Sequence, residues 1–353
     1  MTTRHSPTTR RVPPWLPPLL LIWGVWLTAM IHGDWWHLFL SHGAMSLTMV
    51  FGSFIAGATS EGGGAVAFPV MTLVFGLAPS VARDFSLMIQ TVGMNAAAWA
   101  IFSQRIPVER RALLWASLGG SMGIIFGLEF IRLPPAFAKI FFVSTWLAFA
   151  FALFWLNRVK DREVSSGILE FGPRQRALLL LTGAVGGMIT AITGSGLDIA
   201  TFALLTLRFR VSEKIATPTS VVLMAWNASV GFAWQGLAGT SGLEPEAWRY
   251  WAVCIPVVVV GAPLGAWFIK SRSRLFIAGL LYTSIGIQAV WAIFVLDVLS
   301  KPTLALFGLG AFIAGLCFFR WMAISGEGRQ PHDRPKTPPK ILRPHANPGA
   351  ASS

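Results

Sequence analysis

The chain has 353 residues, 54% of them hydrophobic and only 12% charged, with a formal net charge of +13. A soluble domain carries about 25% charged residues, so this composition excludes one. The Lys and Arg residues sit between apolar segments and at both ends, and no aromatic-interleaved basic patch occurs. That distribution fits the positive-inside pattern of a polytopic membrane protein and excludes a nucleic-acid groove.

In chain order, residues 1–14 form a basic, Pro-rich segment expected in the cytoplasm. Residues 15–33 read as a first transmembrane helix. A cleaved signal peptide is the other reading, but no small-x-small site follows, so a retained helix is expected. Next comes a broken apolar region, 44–77, interrupted by Thr59-Ser60-Glu61-Gly62-Gly63-Gly64. Spans are predicted at 85–103, 112–131 and 137–157, each close to the ~20 residues that cross a hydrocarbon core. A basic linker, 158–176, leads to a second broken region, 177–207, interrupted by Thr193-Gly194-Ser195-Gly196. Spans at 215–236, 248–269, 275–296 and 303–320 follow. The tail 321–353 is rich in Pro, Lys and Arg and is expected to be disordered.

Lys and Arg in the short loops set the orientation. Both termini, 104–111, 158–176, 208–214 and 270–274 read as cytoplasmic; 34–43, 237–247 and 297–302 read as external. Arg83 is an anomaly on the external side. One net crossing fits between 34–43 and 104–111, and helix 85–103 supplies it. Region 44–77 must then enter from outside and return there, and 177–207 must do the same from inside. The arms 44–58, 65–77, 177–192 and 197–207 are each expected to be too short to cross comfortably. The fold class is therefore an all-α polytopic membrane protein with two inverted repeats. Each repeat, 44–157 and 177–296, is a broken-helix hairpin plus three transmembrane helices, and one extra helix stands at either end. Gly62-x-Gly64 matches Gly194-x-Gly196, and Ala82-x-x-x-Ser86 matches Ala216-x-x-x-Ser220. Each serine opens a helix with a later asparagine, Asn95 or Asn227.

Gly-interrupted short segments at matching places in two halves point to the binding site of a secondary transporter. A helix beginning after Gly62–Gly64, or after Ser195, would offer backbone N–H groups and the positive dipole end to an anion. The bland alternative is that these glycines only permit tight turns. Candidate substrate-binding residues are Ser60, Gly62, Gly63, Gly64, Thr193, Gly194, Ser195 and Gly196, joined by Gln90, Asn95, Thr219, Ser220 and Asn227. The three amides serve equally as glue between helices. Glu61 and Asp198 are candidates for proton coupling, because intramembrane acids are costly. Asp198 has a second reading as the cap of its own helix in Ser195-x-x-Asp198. Glu61 has one as partner of its helix end or of Arg83.

His32, Asp34, His37 and His42 cluster in the first external loop; an interfacial segment with Trp35 and Trp36 is favoured over a metal site. Cys254 and Cys317 fall inside spans and read as packing residues. No cofactor is expected, and no nucleophile or phosphate-loop motif supports an enzyme.

Gly62-Gly63-Gly64 with Pro69, Gly76 and Ala82-x-x-x-Ser86 resembles the first-repeat signature of the TauE/SafE sulfite exporter family. Thr193-Gly194-Ser195-Gly196 with Ala216-Thr217-Pro218-Thr219-Ser220 is similar to the second, and the likeness covers roughly residues 44–320. The resemblance implies transport of a small anion, such as sulfite or an organosulfonate, across the bacterial inner membrane. Glu61 directly before the glycines and Asp198 depart from the usual pattern. The expected partners are the small anionic solute and the lipid bilayer, with no nucleic acid. A homo-oligomer is left open. The alternative to a secondary transporter is an anion channel or a membrane-bound anion sensor.

Overall fold

A computed structural model describes residues 16–59, 62–158, 164–239, 242–269 and 274–327. Ser60 and Glu61, the N-terminal segment and most of the basic tail lie outside the described residues. Twelve helices are found in them: α1 (Leu16–His32), α2 (Leu38–Ala58), α3 (Gly64–Pro69), α4 (Pro79–Ser103), α5 (Arg110–Phe130), α6 (Pro135–Arg158), α7 (Pro173–Thr193), α8 (Leu197–Ala203), α9 (Glu213–Leu237), α10 (Pro245–Ile269), α11 (Arg274–Val295) and α12 (Pro302–Glu327). Eight of the described helices are long and apolar enough to cross a bilayer, so this is an all-helical, multi-pass membrane protein.

Five long helices open on proline: Pro79, Pro135, Pro173, Pro245 and Pro302. Proline is at home in the first turn, where its missing N–H costs nothing and its φ is already helical. These prolines start the helices before the apolar runs do. At α7 the Gly172 N–H also donates to Gln175 Oε1 at 3.1 Å, closing the first turn.

Two expectations need correction, and the linker adds an observation of its own. The first arm of each broken region is a full helix of 21 residues, α2 and α7, and each is long enough to span. Both extend N-terminally through polar residues that hydropathy discounts, His42 in α2 and Arg174 and Arg176 in α7. Only the second arms are short. α3 runs into a π-helical turn at Val70–Val74, and α8 into another at Leu204–Arg208. At 1.5 Å per residue each reaches roughly half the hydrocarbon thickness. The linker is not merely a tether. Ser165 N donates to Arg210 O at 2.9 Å and Ser212 N to Ser165 O at 3.0 Å. Second, α12 continues to Glu327, past the expected start of the tail, because Met322 is buried within the bundle.

Both ends of the first hairpin flank one side chain. The Tyr250 ring lies 4.6 Å from His42 and 6.4 Å from Phe75. Both ends of the second hairpin meet at the Ser165–Val211 bridge. There the start of α5 is also fastened: Glu109 Oε2 accepts from Ile168 N at 3.0 Å, and Arg111 Nη1 donates to Ile168 O at 3.0 Å. Tyr250 is near the start of α10, next to the end of α9, and Trp234 Nε1 ties that end of α9 to Glu129 near the end of α5. The two hairpins therefore open at opposite ends of the bundle and run toward each other.

Helix partners do not follow chain order. α10 packs along α2 and α4, and α5 packs along α7 and α9. The seams are glycine-lined. A side chain at Gly57 would collide with the Ala262 carbonyl, and one at Gly123 with the Ala184 carbonyl. Such contact between backbones is how helices associate in lipid, where no hydrophobic force draws them together. α6 forms a common wall behind both short arms: Phe68 of α3 stacks on Phe142 at 5.0 Å, and Phe202 of α8 meets Phe149 at 6.2 Å.

Candidate functional site

The two hairpin tips touch. A side-chain carbon at Gly62 would collide with Asp198 Oδ2 and stand 2.8 Å from Gln90 Oε1 and 2.9 Å from Ser195 Oγ. One at Gly64 would stand 2.9 Å from the Gly194 carbonyl and 3.0 Å from Ser195 Cβ. Gly62, with φ 70°, and Gly194, with φ 78°, take the left-handed conformation that only glycine adopts cheaply. Both breaks thus need glycine twice over, for the turn and for the close approach. Gly62, Gly63, Gly64, Thr193, Gly194, Ser195 and Gly196 are all buried.

Gln90 clasps the junction from α4. Its Nε2 donates to Gly194 O at 2.6 Å and to Ser86 O at 2.8 Å. Those two bonds orient the amide, and its Oε1 is left buried without a hydrogen-bond partner among the described residues. Asn227 on α9 is fully buried, and neither atom of its amide has a partner among the described residues. It lies beside Gly120 and Leu197, where α5 passes the start of α8. An unsatisfied buried amide costs ~1–3 kcal/mol, so these groups call for an explanation.

The second helix start is already filled. Asp198 Oδ1 accepts from Gly196 N at 2.9 Å and Ile199 N at 3.0 Å, while Thr190 Oγ1 accepts from Leu197 N at 3.1 Å. Ser195 Oγ donates to Asp198 Oδ2 at 3.0 Å. The expectation of free N–H groups after Ser195 is therefore corrected. The helix carries its own anion, the Asp198 carboxylate, which neutralises the dipole end. Thr193 Oγ1 donates to Ser195 O at 2.6 Å and shapes the turn.

Three other candidates stand apart from the tips. Asn95 is on the opposite face of α4 from Gln90, exposed, and donates to Thr91 O at 2.7 Å and Ser229 Oγ at 2.9 Å. Its partner across the two halves is thus Ser229, not Asn227. Thr219 Oγ1 accepts from Glu109 N at 2.9 Å, at the end of the bundle where the linker is fastened. The Ser220 hydroxyl donates to Thr217 O at 2.8 Å within its own helix. Arg83 is paired: its Nη2 lies 2.7 Å from Asp84 Oδ1, and Asp84 Oδ2 accepts from Glu244 N at 3.0 Å. In the first loop, His32 bonds the Thr28 carbonyl at 2.9 Å and His37 the Asp34 carbonyl at 2.9 Å.

Lys139 was not singled out from the sequence. Its ammonium donates to Thr72 O at 2.8 Å, capping the carbonyl end of the first short arm. A lone lysine inside an otherwise apolar span was the signal that could have found it.

A family model for the sulfite exporter TauE/SafE matches residues 45–290, which takes in both hairpins and the helices between them. The chain belongs to the TauE/SafE sulfite exporter family. A comparison with curated proteins finds no match, and a comparison with solved structures finds none. The matched segment contains every candidate site residue named from the sequence and excludes α1 and α12.

Proposed function

We propose that this protein is a secondary transporter that exports a small anion, sulfite or an organosulfonate, across the bacterial inner membrane, with both termini in the cytoplasm. The observation that carries this is the contact of two oppositely directed, glycine-broken hairpins, Gly62 against Ser195 and Asp198, inside a family of sulfite exporters. The halves are taken as inverted repeats. Support comes from matching elements: π-turns begin at Val70 and Leu204, 134 residues apart, and Phe68 and Phe202, with the same spacing, both pack on α6. The Asn95–Ser229 bond joins residues 134 apart, as equivalent positions on a pseudo-two-fold axis would be.

The anion is proposed to meet the first tip, Ser60 and Gly62–Gly64, together with the Asn227 amide, whose Nδ2 is a buried donor without a partner. Thr193 to Gly196 form the opposing wall. Alternating access would rock two interlaced bundles, α2–α4 with α10 against α7–α9 with α5, about the α4–α9 contact. Proton coupling is assigned to Glu61.

Sulfite flux in proteoliposomes tests the proposal. Saturable uptake that follows an imposed proton gradient is the expected result. Flux that stays linear with concentration would make the protein a channel, and binding without flux would make it a sensor.

A further inference from the structure

We propose that the junction of the two hairpin tips is a sodium site, built from Asp198 Oδ2, Gln90 Oε1 and Ser195 Oγ, and that the anion is carried together with that cation. The inference rests on the transporter reading for its purpose but not for its chemistry.

Three oxygens pack around the Gly62 Cα, each within 2.9 Å of the position a side-chain carbon on that residue would take. Within this set the Ser195 hydroxyl donates to Asp198 Oδ2. Gln90 Oε1 is 1% exposed and has no hydrogen-bond partner among the described residues. It cannot turn its NH₂ inward, because that group is held by Gly194 O and Ser86 O. Asp198 is likewise 1% exposed, and its Oδ2 accepts from the Ser195 hydroxyl. It has no ion-pair partner among the described residues. Its two backbone donors go to Oδ1 and leave Oδ2 facing the junction.

A cation at this junction would give the buried Gln90 Oε1 a partner and offset the charge of Asp198. Carboxylate, amide and hydroxyl oxygens are hard donors, and a hard cation suits them. Unwound backbone and the carbonyl ends of broken helices are where secondary transporters hold a coupling sodium, and the C-terminal end of α7 lies here. One carboxylate in the set matches one positive charge. A small movement of the Gly62 turn makes the room, and glycine is the residue that permits it. With the cation bound, Asp198 no longer repels an anion at the neighbouring tip, so the two solutes bind better together than apart. That reciprocity is thermodynamic coupling between the two sites.

Thermal unfolding of the purified full-length protein in detergent tests this, with sodium chloride compared against choline chloride at equal ionic strength, fixed pH and no sulfite. Sodium is expected to raise Tm saturably. Asp198→Asn keeps the cap through its amide oxygen and should lose the sodium response. Ser195→Ala should retain the fold and weaken half-saturation by roughly tenfold, as one lost contact would. Equal Tm values in sodium and choline for the wild type overturn the site. So does a stability that moves with pH identically in both salts, which would put a proton on Asp198 instead. Sodium stabilisation without sulfite flux in proteoliposomes would leave the site standing and remove the transporter reading.

Discussion

Asp198 shows how one side chain closes off an attractive function. A helix start buried in a membrane is an anion site only while its N–H groups are open, and here the carboxylate three residues after Ser195 has taken them. The first tip has no such acid after its glycines; its acid, Glu61, comes before them. On the proposed function the anion is therefore expected nearer the first tip. An ionised Glu61 about 4 Å from the anion would repel it by roughly 4 kcal/mol at an effective dielectric of ~20, about a thousandfold in affinity. A protonated Glu61 would donate a hydrogen bond instead. Glu61→Gln should therefore still bind sulfite but transport it without the wild-type dependence on pH. Proteoliposome flux across a pH series checks this, and an unchanged pH profile would leave Glu61 a structural residue. Gly62→Ala is expected to be more damaging than its size suggests. The left-handed backbone alone costs an alanine roughly 1–2 kcal/mol, and the added methyl collides with the Asp198 carboxylate. Flux should fall at least about tenfold while the protein still reaches the membrane, as each 1.4 kcal/mol is worth a factor of ten. Wild-type flux in Gly62→Ala would show that the tips are not packed in this way during transport.

At the scale of elements, the informative feature is that α5 and α10 have changed sides. Each leaves its own half of the chain and packs on the hairpin of the other. On the proposed alternating-access cycle the moving bodies then differ from the sequence halves, and the difference can be measured. Ser46 on α2 has its hydroxyl 4.0 Å from the Cys254 thiol on α10. Ser46→Cys should form a disulfide with Cys254 on oxidation, welding α2 to α10. Interlaced bundles predict that sulfite flux continues after cross-linking. Rocking of residues 44–157 against 177–296 predicts arrest, relieved by reductant. Gly57 and Gly265 against the carbonyls of Ala262 and Phe54 are the physical reason to expect the first outcome. A seam this tight has no freedom to slide without a clash.

For the whole molecule, the charge distribution and the packing agree on two ends. One carries the Ser165–Val211 bridge, Arg111 and Arg176, with both guanidinium groups over the Phe171 ring at 5.0 and 5.6 Å. The other carries Tyr250, Glu129 and the Arg83–Asp84 pair. The basic end is assigned to the cytoplasm. In a Cys317→Ser background, an impermeant thiol reagent applied outside cells should label Thr240→Cys, and should label Ser166→Cys only after permeabilisation. The reverse pattern would invert the topology. Arg83, the anomaly of this assignment, is paired with its neighbour Asp84.

What the sequence determined by itself is what local pattern encodes. Runs of apolar residues declare spans, because lipid tolerates nothing else at that depth. Glycines inside such runs declare breaks, because helix interiors avoid them unless a turn or a close contact requires them. The membrane class, the two hairpins and the conspicuous Gln90, Asn227 and Asp198 were legible on those grounds. Helix starts were misplaced by a few residues at Pro79, Pro173 and Pro245, where polar first turns hid a start that the prolines marked. Only the tertiary structure decided the rest. Asn95 and Gln90 sit five residues apart on one helix and face opposite sides, and which side meets the tips depends on how α4 is rotated against α9 and α10. The exchange of α5 and α10 between bundles, the clasp of Gln90 on Gly194 and the closed start of α8 all arise from contacts between distant parts of the chain. No local periodicity records them, because the energy that selects them belongs to pairs of surfaces rather than to either segment alone.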